Sequence, residues 1–124
     1  MFADAAQDVD VHVFSGTART QAAEQFLSVL AQVQTVVPQL QVTMCPYSDR
    51  ETVVERAPAL ALFGADGSDR RVRFYGWPTG YEFSAFLGAA ADAARTDSVL
   101  HADTLTALAG LKHDVQIKVF STPT

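Results

Sequence analysis

The chain has 124 residues and 48% of them are hydrophobic, which is the size and apolar content of one globular domain with a buried core. Its formal net charge of −5 argues against nucleic acid as the main partner. No apolar run approaches the roughly 18–20 residues of a membrane span, and the first residues do not resemble a signal peptide, so we expect a cytoplasmic protein without a membrane partner. The single cysteine excludes an internal disulfide and any Cys-x-x-Cys motif.

The first half of the chain predicts a β-α-β unit. Apolar and polar residues alternate from 9 to 14 and again from 40 to 44, which indicates two strands. Between them, from about 20 to 37, apolar residues recur every three or four positions, and this spacing predicts a helix that ends before a proline. Such a connection implies that the two strands are parallel. Asp49 then stands where it could cap one or two helical turns over residues 50–55.

The second half predicts a hairpin and two more helices. Residues 59–63 and 70–75 both alternate with period two around an Asp-Gly turn, which is the strongest short-range signal of a hairpin. Pro58 cannot donate a backbone hydrogen bond, so we expect it to open the first of these strands. Apolar stripes then predict a helix that begins near Tyr81 and a short one over residues 103–109.

The end of the chain repeats its beginning. Residues 115–120 alternate as a strand does, and the segment 114–121 matches the segment 8–15 in its apolar positions and in an identical Val-Phe-Ser. A repeat of this kind is typical of a tandem array. We therefore predict one unit over residues 1–112 and the opening strand of a truncated second unit over residues 113–124.

The order β-α-β followed by β-β-α, with a proline at the start of the third strand, resembles a thioredoxin fold. The run Gly76-x-Pro78-x-Gly80-Tyr81-Glu82-Phe83 is similar to two families, the glutaredoxin-like protein disulfide oxidoreductases and the N-terminal domain of the alkyl hydroperoxide reductase flavoprotein subunit. Both families are built from two tandem thioredoxin-like units. The resemblance implies an α/β fold with a central mixed sheet flanked by helices, and a cis bond between Ala57 and Pro58.

In thioredoxin-like folds the reactive thiols lie at the N-terminus of the first helix, where the helix dipole lowers the pKa of a thiol. The first unit of the disulfide oxidoreductases usually keeps these cysteines, whereas that of the flavoprotein domain lacks both. The resemblance puts that position in a loop without sulfur, which comprises Ala18, Arg19, Thr20, Gln21, Ala22 and Ala23. We therefore expect this loop to be a vestigial redox site, and we assign no catalytic residue. The resemblance also places a groove beside Ala57 and Pro58, next to the loop.

Cys45 is the one residue of the sequence that could carry thiol chemistry. The run Cys45-Pro46-Tyr47-Ser48 is similar to the active-site motif of glutaredoxins with the second cysteine replaced. In that fold the motif follows the first strand, whereas Cys45 follows the second and lies only about a dozen residues before Pro58, too few for a parallel crossover. We expect a loop cysteine, and an exposed, reactive thiol is the alternative. No metal site and no cofactor are predicted, since ligand spacing is lacking among His12, His101 and His113.

Three functions are compatible with the sequence. The one we favour is a redox-inactive scaffold and docking module that packs against a second, cysteine-bearing thioredoxin-like unit, in the same chain or a separate one, and against a redox partner protein. The resemblance implies that the whole protein carries electrons from a flavin or a disulfide to a peroxidase or another disulfide substrate, with this chain not catalytic by itself. The alternatives are a monothiol enzyme that uses Cys45 and a stand-alone module that binds extended peptides beside Pro58.

Overall fold

One sheet of four strands organises the part of the chain that the structure describes. The computed structural model describes residues 7–16, 20–48 and 50–122. In chain order the elements are β1 (Val9–Phe14), α1 (Gln21–Val36), β2 (Leu40–Cys45), β3 (Ala59–Gly64), β4 (Asp69–Tyr75), α2 (Tyr81–Ala93) and α3 (Ala102–Ala109). The β-α-β unit, the hairpin and the two later helices predicted from the sequence are therefore confirmed.

The strands are arranged in the order β2-β1-β3-β4, so that β1 and β3 are the inner strands. β1 and β2 are parallel, with Val9 opposite Leu40, because α1 carries the chain back along the sheet. β3 runs antiparallel to β1 and also to β4, with which it forms the hairpin. This arrangement is a mixed sheet within an α/β fold, which confirms the fold class predicted from the sequence.

The first two helices cover one face of the sheet. Val9, Val11 and Val13 of β1 point to this face and are 0% exposed. Phe26 of α1 meets Phe86 of α2 edge to face, with ring centroids 5.7 Å apart. Such ring pairs contribute about 0.5–1.5 kcal/mol beyond the area that they bury. The aromatic contact joins α1 to α2 in the same core cluster as the valines.

A loop, rather than a helix, covers part of the opposite face. The helix predicted over residues 50–55 is wrong, since no helix forms there, and the cap proposed for it, Asp49, lies outside the described residues. Two tyrosines hold the loop instead. The Tyr47 hydroxyl donates to the Glu55 carbonyl at 3.0 Å, and the Tyr75 hydroxyl accepts from the Glu55 amide at 3.1 Å. Because both backbone groups of this residue are bonded to side chains, they do not take part in helical hydrogen bonds.

β4 is irregular in its middle. Its register with β3 shifts between Ala61, which lies opposite Arg73, and Phe63, which lies opposite Asp69. Within the bulge Arg71 has a φ of 63°, a left-handed conformation that is uncommon outside glycine. The Asp69 carboxylate accepts from the Arg71 amide at 2.7 Å and from Arg73 Nη1 at 2.8 Å. These contacts hold both sides of the bulge, and they interrupt the simple alternation predicted for this strand.

The C-terminal part of the chain is exposed. α3 buries no residue, although the His101 side chain caps its start by accepting from the Asp103 amide. The strand predicted over residues 115–120 is not formed, because no strand lies beside this segment in the described part of the chain and a lone segment has no hydrogen-bond ladder. The division into units at residue 113 stays a prediction. No helix among the described residues is long and apolar enough to cross a membrane.

Candidate functional site

The candidate site lies at the end of the sheet where β1 and β2 finish and β3 begins. Phe14, the last residue of β1, lies opposite Cys45 of β2 on one side and opposite Ala59 of β3 on the other. Pro58 immediately precedes Ala59, and its peptide bond with Ala57 is cis, which is the isomer predicted from the sequence. One end of the sheet therefore holds both the cysteine and the proline that the sequence singled out, two strands apart.

The loop after β1 comes close to this proline. Gly16 has a φ of 77°, and a Cβ atom built on it would lie 3.4 Å from the Ala57 Cβ. A side chain at this position would strain the backbone, since positive φ values suit glycine. The chain then continues through residues that lie outside the described part, among them Ala18 and Arg19 of the predicted vestigial loop. The approach of Gly16 to Ala57 places the chain just after β1 next to the residue before the proline.

The first turn of α1 holds no group that can exchange disulfides. Thr20 caps the helix, and its Oγ1 accepts a hydrogen bond from the Ala23 amide at 3.2 Å. Gln21 and Ala22 are exposed, whereas Ala23 is 1% exposed. A helix N-terminus favours a thiolate, but the side chains here are a hydroxyl, an amide and two methyl groups. The vestigial redox role of this loop stays a prediction, while its first helical turn is well defined.

The surroundings of Cys45 disfavour a thiolate. The side chain is partly buried at the end of β2, and its thiol donates to the Thr43 carbonyl at 3.7 Å. Burial raises the pKa of the Cys45 thiol, and the negative charges of Asp10 and Glu51 raise it further, while the Val13 amide acts in the opposite direction. Reactive cysteines combine a lowered pKa with free access. Cys45 is thus a strand-end cysteine whose neighbours stabilise the neutral thiol.

A groove beside the start of α1 is a feature that we did not predict. It has a volume of about 720 Å³ and lies between the first turns of α1 and the segment Pro78-Thr79-Gly80. Phe26 and Phe83 line it, with ring centroids 6.1 Å apart. The run from residue 76 to residue 83, already singled out in the sequence, supplies one wall and was the signal that could have located the groove.

A polar cluster lies on the sheet face opposite the helices. Thr43 Oγ1 donates to Asp10 Oδ1 at 2.9 Å, and His12 Nε2 lies 3.1 Å from Asp10 Oδ2. The His12 ring stacks on Phe63, with centroids 4.2 Å apart. The hydrogen bonds therefore run between neighbouring residues of the cluster itself. Among the described residues no group of three or more His, Cys, Asp or Glu side chains could hold a metal ion.

Comparison with known proteins gives matches in structure only. No family model matches the chain, and no curated protein matches it. AhpF of Enterococcus faecalis V583, which is part of an alkylhydroperoxide reductase, superposes with a TM-score of 0.73 and 20% identity over 89% of this chain. The separate N-terminal domain of that protein gives a TM-score of 0.70 and 20% identity over 85% of this chain. A protein disulfide oxidoreductase from Aeropyrum pernix K1 gives 0.68 and 24% identity over 90% of it.

The chain spans about half the length of these structures, since the matches cover 55%, 53% and 50% of their chains. At identities of 20–24% the likeness establishes the fold and no more. The two kinds of protein found are the two that the sequence resembles, and in both the match is to a thioredoxin-like redox domain. The chain has a thioredoxin-like fold, of the type found in AhpF and in a protein disulfide oxidoreductase.

Proposed function

We propose that this chain is a redox-inactive thioredoxin-like unit that serves as a scaffold and docking module for a second unit bearing cysteines. One observation carries the proposal: the start of α1 offers only Thr20, Gln21, Ala22 and Ala23, none of which contains sulfur. Thiol–disulfide exchange requires a thiolate that attacks a disulfide sulfur. The Thr20 hydroxyl cannot replace it, and it is engaged in capping the helix.

The exposed C-terminal part supports the docking role. Leu108 of α3 is 49% exposed, and Ile117 and Val119 beyond it are 83% and 85% exposed. Large apolar side chains left exposed along one stretch of the chain favour a surface that binds another protein. Residues 114–121 repeat residues 8–15, and residues 9–14 form the inner strand β1 here. The partner that would bury the repeat is therefore a further unit of the same fold.

The two kinds of protein among the structural neighbours suggest what the assembled protein does. One is part of an alkylhydroperoxide reductase and the other is a protein disulfide oxidoreductase. In the proposal, the cysteine-bearing unit carries electrons to a disulfide or peroxidase partner, and this chain completes the surface on which that partner binds. In the proposal, the groove between α1 and the segment Pro78-Thr79-Gly80 is part of that surface; its apolar walls, Phe26 and Phe83, suit a protein partner.

Insulin reduction tests the redox-inactive part of the proposal. The isolated chain, with dithiothreitol as electron donor, should reduce insulin disulfides no faster than dithiothreitol alone. Turnover well above this background that disappears in Cys45→Ser would overturn the proposal and favour the monothiol function. Activity that survives in Cys45→Ser would point to a contaminating enzyme, because the sequence holds no other cysteine, and the preparation would be repurified and measured again.

The docking part is tested by the reading frame beyond Thr124. A continuation that opens with a Cys-x-x-Cys segment supports the two-unit protein. In that two-unit protein Ile117→Asp should lower insulin turnover, because the buried strand would then carry a charge, whereas Lys118→Asp changes a polar position of the same segment and should not. Equal turnover in the two variants would argue against docking through this segment.

A further inference from the structure

The two edges of the sheet differ in how they are protected against pairing with another strand. β4 carries a bulge, a residue at positive φ and three arginines, all of which discourage edge pairing. β2 has none of these devices: its six residues pair in unbroken register with β1 and include neither a charged residue nor a proline. An edge strand that is regular and uncharged is a template for another strand.

The backbone groups that β2 presents outward can be identified from its register. The Val9 amide donates to the Gln39 carbonyl, and in a parallel ladder alternate residues face the neighbouring strand. Gln41 and Thr43 therefore bond to β1, and Val42 and Met44 point their N–H and C=O groups away from it. Within the described residues these groups have no hydrogen-bond partner.

At the start of the same edge, the outward backbone groups of Leu40 are already hydrogen-bonded within the chain. The Leu40 carbonyl accepts from Gln34 Nε2 at 3.1 Å, and the Leu40 amide donates to the Val37 carbonyl at 3.1 Å. An added strand can therefore bond to Val42 and Met44 but not to Leu40. The free stretch is short, and Thr43 stands at its middle.

We propose that the β2 edge pairs with the β2 edge of a second copy of this chain, antiparallel, around a twofold axis at Thr43. Val42 of each copy lies opposite Met44 of the other, and these two pairs exchange about four backbone hydrogen bonds. Thr43 faces Thr43 of the second copy, so two neutral side chains meet at the axis. The Met44 side chain, which is 45% exposed, packs over the junction between the two β2 strands. The edge is thus complementary to itself, whereas pairing of two β4 edges would bring arginines together.

Disulfide trapping tests the register of this pairing. In Thr43→Cys with Cys45→Ser, the two introduced thiols lie on Cα atoms about 4.5 Å apart, within the range that a disulfide bridges. The matched control is Gln41→Cys with Cys45→Ser, whose Cα atoms are displaced along the strands by about 14 Å. Under an oxidising glutathione buffer, non-reducing electrophoresis should show about tenfold more dimer for the first variant than for the second. Equal amounts, or no dimer in the first, would overturn the proposal.

A second pair of variants distinguishes a dimer contact through the β2 edge from one through the exposed C-terminal segment. Met44→Pro removes an outward N–H and no hydrogen bond within the chain, and proline is accepted on an edge strand. Added to the Thr43→Cys variant it should reduce trapping about tenfold, with circular dichroism confirming that the chain is folded. Ile117→Lys should leave trapping unchanged. Loss of dimer in the Ile117 variant, with dimer retained in the Met44 variant, would assign the contact to the C-terminal segment and refute the edge pairing.

Discussion

Restoring thiols to the start of α1 is the perturbation that examines the candidate site most directly. The structure selects Thr20→Cys with Ala23→Cys, because Thr20 is the cap and Ala23 is the residue whose amide it binds. The first position is exposed and the second is 1% exposed, so the pair would consist of an accessible thiol and a buried one. Residues three apart on a helix have Cβ atoms about 5–6 Å apart, so a disulfide needs only a small adjustment at the first turn. Cys45→Ser is included so that the native cysteine does not interfere.

The substitution should change two quantities, the stability of the fold and the pKa of the introduced thiol. Loss of the Thr20 hydroxyl cap should lower the free energy of unfolding by about 1 kcal/mol. The helix dipole favours a charge at this end by about 0.3–1 kcal/mol, and since 1.36 kcal/mol corresponds to one pKa unit, the pKa of the thiol introduced by Thr20→Cys should fall by about 0.2–0.7 from its free value of about 8.5.

The assay is the pH dependence of alkylation by iodoacetamide, together with disulfide formation in an oxidising buffer. Gln25→Cys with Ser28→Cys, also in the Cys45→Ser background, is the matched control, since it has the same spacing on the exposed side of α1 but lies beyond the first turn. Its thiols should titrate near about 8.5. If the Thr20 variant titrates no lower than this control and forms no internal disulfide, the helix start is not a vestigial redox site.

Three further outcomes are expected. Phe86→Ala should lower the free energy of unfolding by about 3–5 kcal/mol in urea denaturation, because Phe86 is 0% exposed, and Phe86→Leu should cost clearly less; equal losses would contradict the packing described. The Arg73 guanidinium hydrogen-bonds to Asp69 and lowers the pKa of that carboxyl, so the pair stabilises the fold above the unfolded value of about 3.9 and is lost as the pH falls through the lower folded pKa. Asp69→Asn should therefore flatten the loss of stability in acid, as measured by urea midpoints across this range, and an unchanged acid profile would show that the pair does not contribute. Finally, since burial raises the pKa of Cys45, its alkylation should reach half-maximum at a higher pH than that of free cysteine in the same buffer, and a midpoint at or below the free value would reopen the monothiol function.

Local patterns were sufficient for most of the fold. Alternation and three- or four-residue spacing located the four strands and the helices, since these periods follow directly from backbone geometry. They failed at residues 50–55, where Tyr47 and Tyr75 take up the backbone groups of Glu55 and leave no helix. They also missed the bulge in β4, because it depends on where Asp69 meets two arginines. In both places side-chain hydrogen bonds compete with the local backbone pattern.

For the candidate site too, some features follow from the sequence alone and others only from the folded structure. The sequence by itself determined that no sulfur lies at the start of α1, because that is a property of consecutive residues around Thr20. Only the tertiary structure decided that the pKa of the Cys45 thiol is raised, because burial at the strand end and the charges of Asp10 and Glu51 act on the thiol through space. It also decided which edge of the sheet is open, because Val42 and Met44 face outward only through the register that β2 adopts against β1. Electrostatic fields and hydrogen-bond ladders depend on distances between segments, and those distances exist only once the chain has folded.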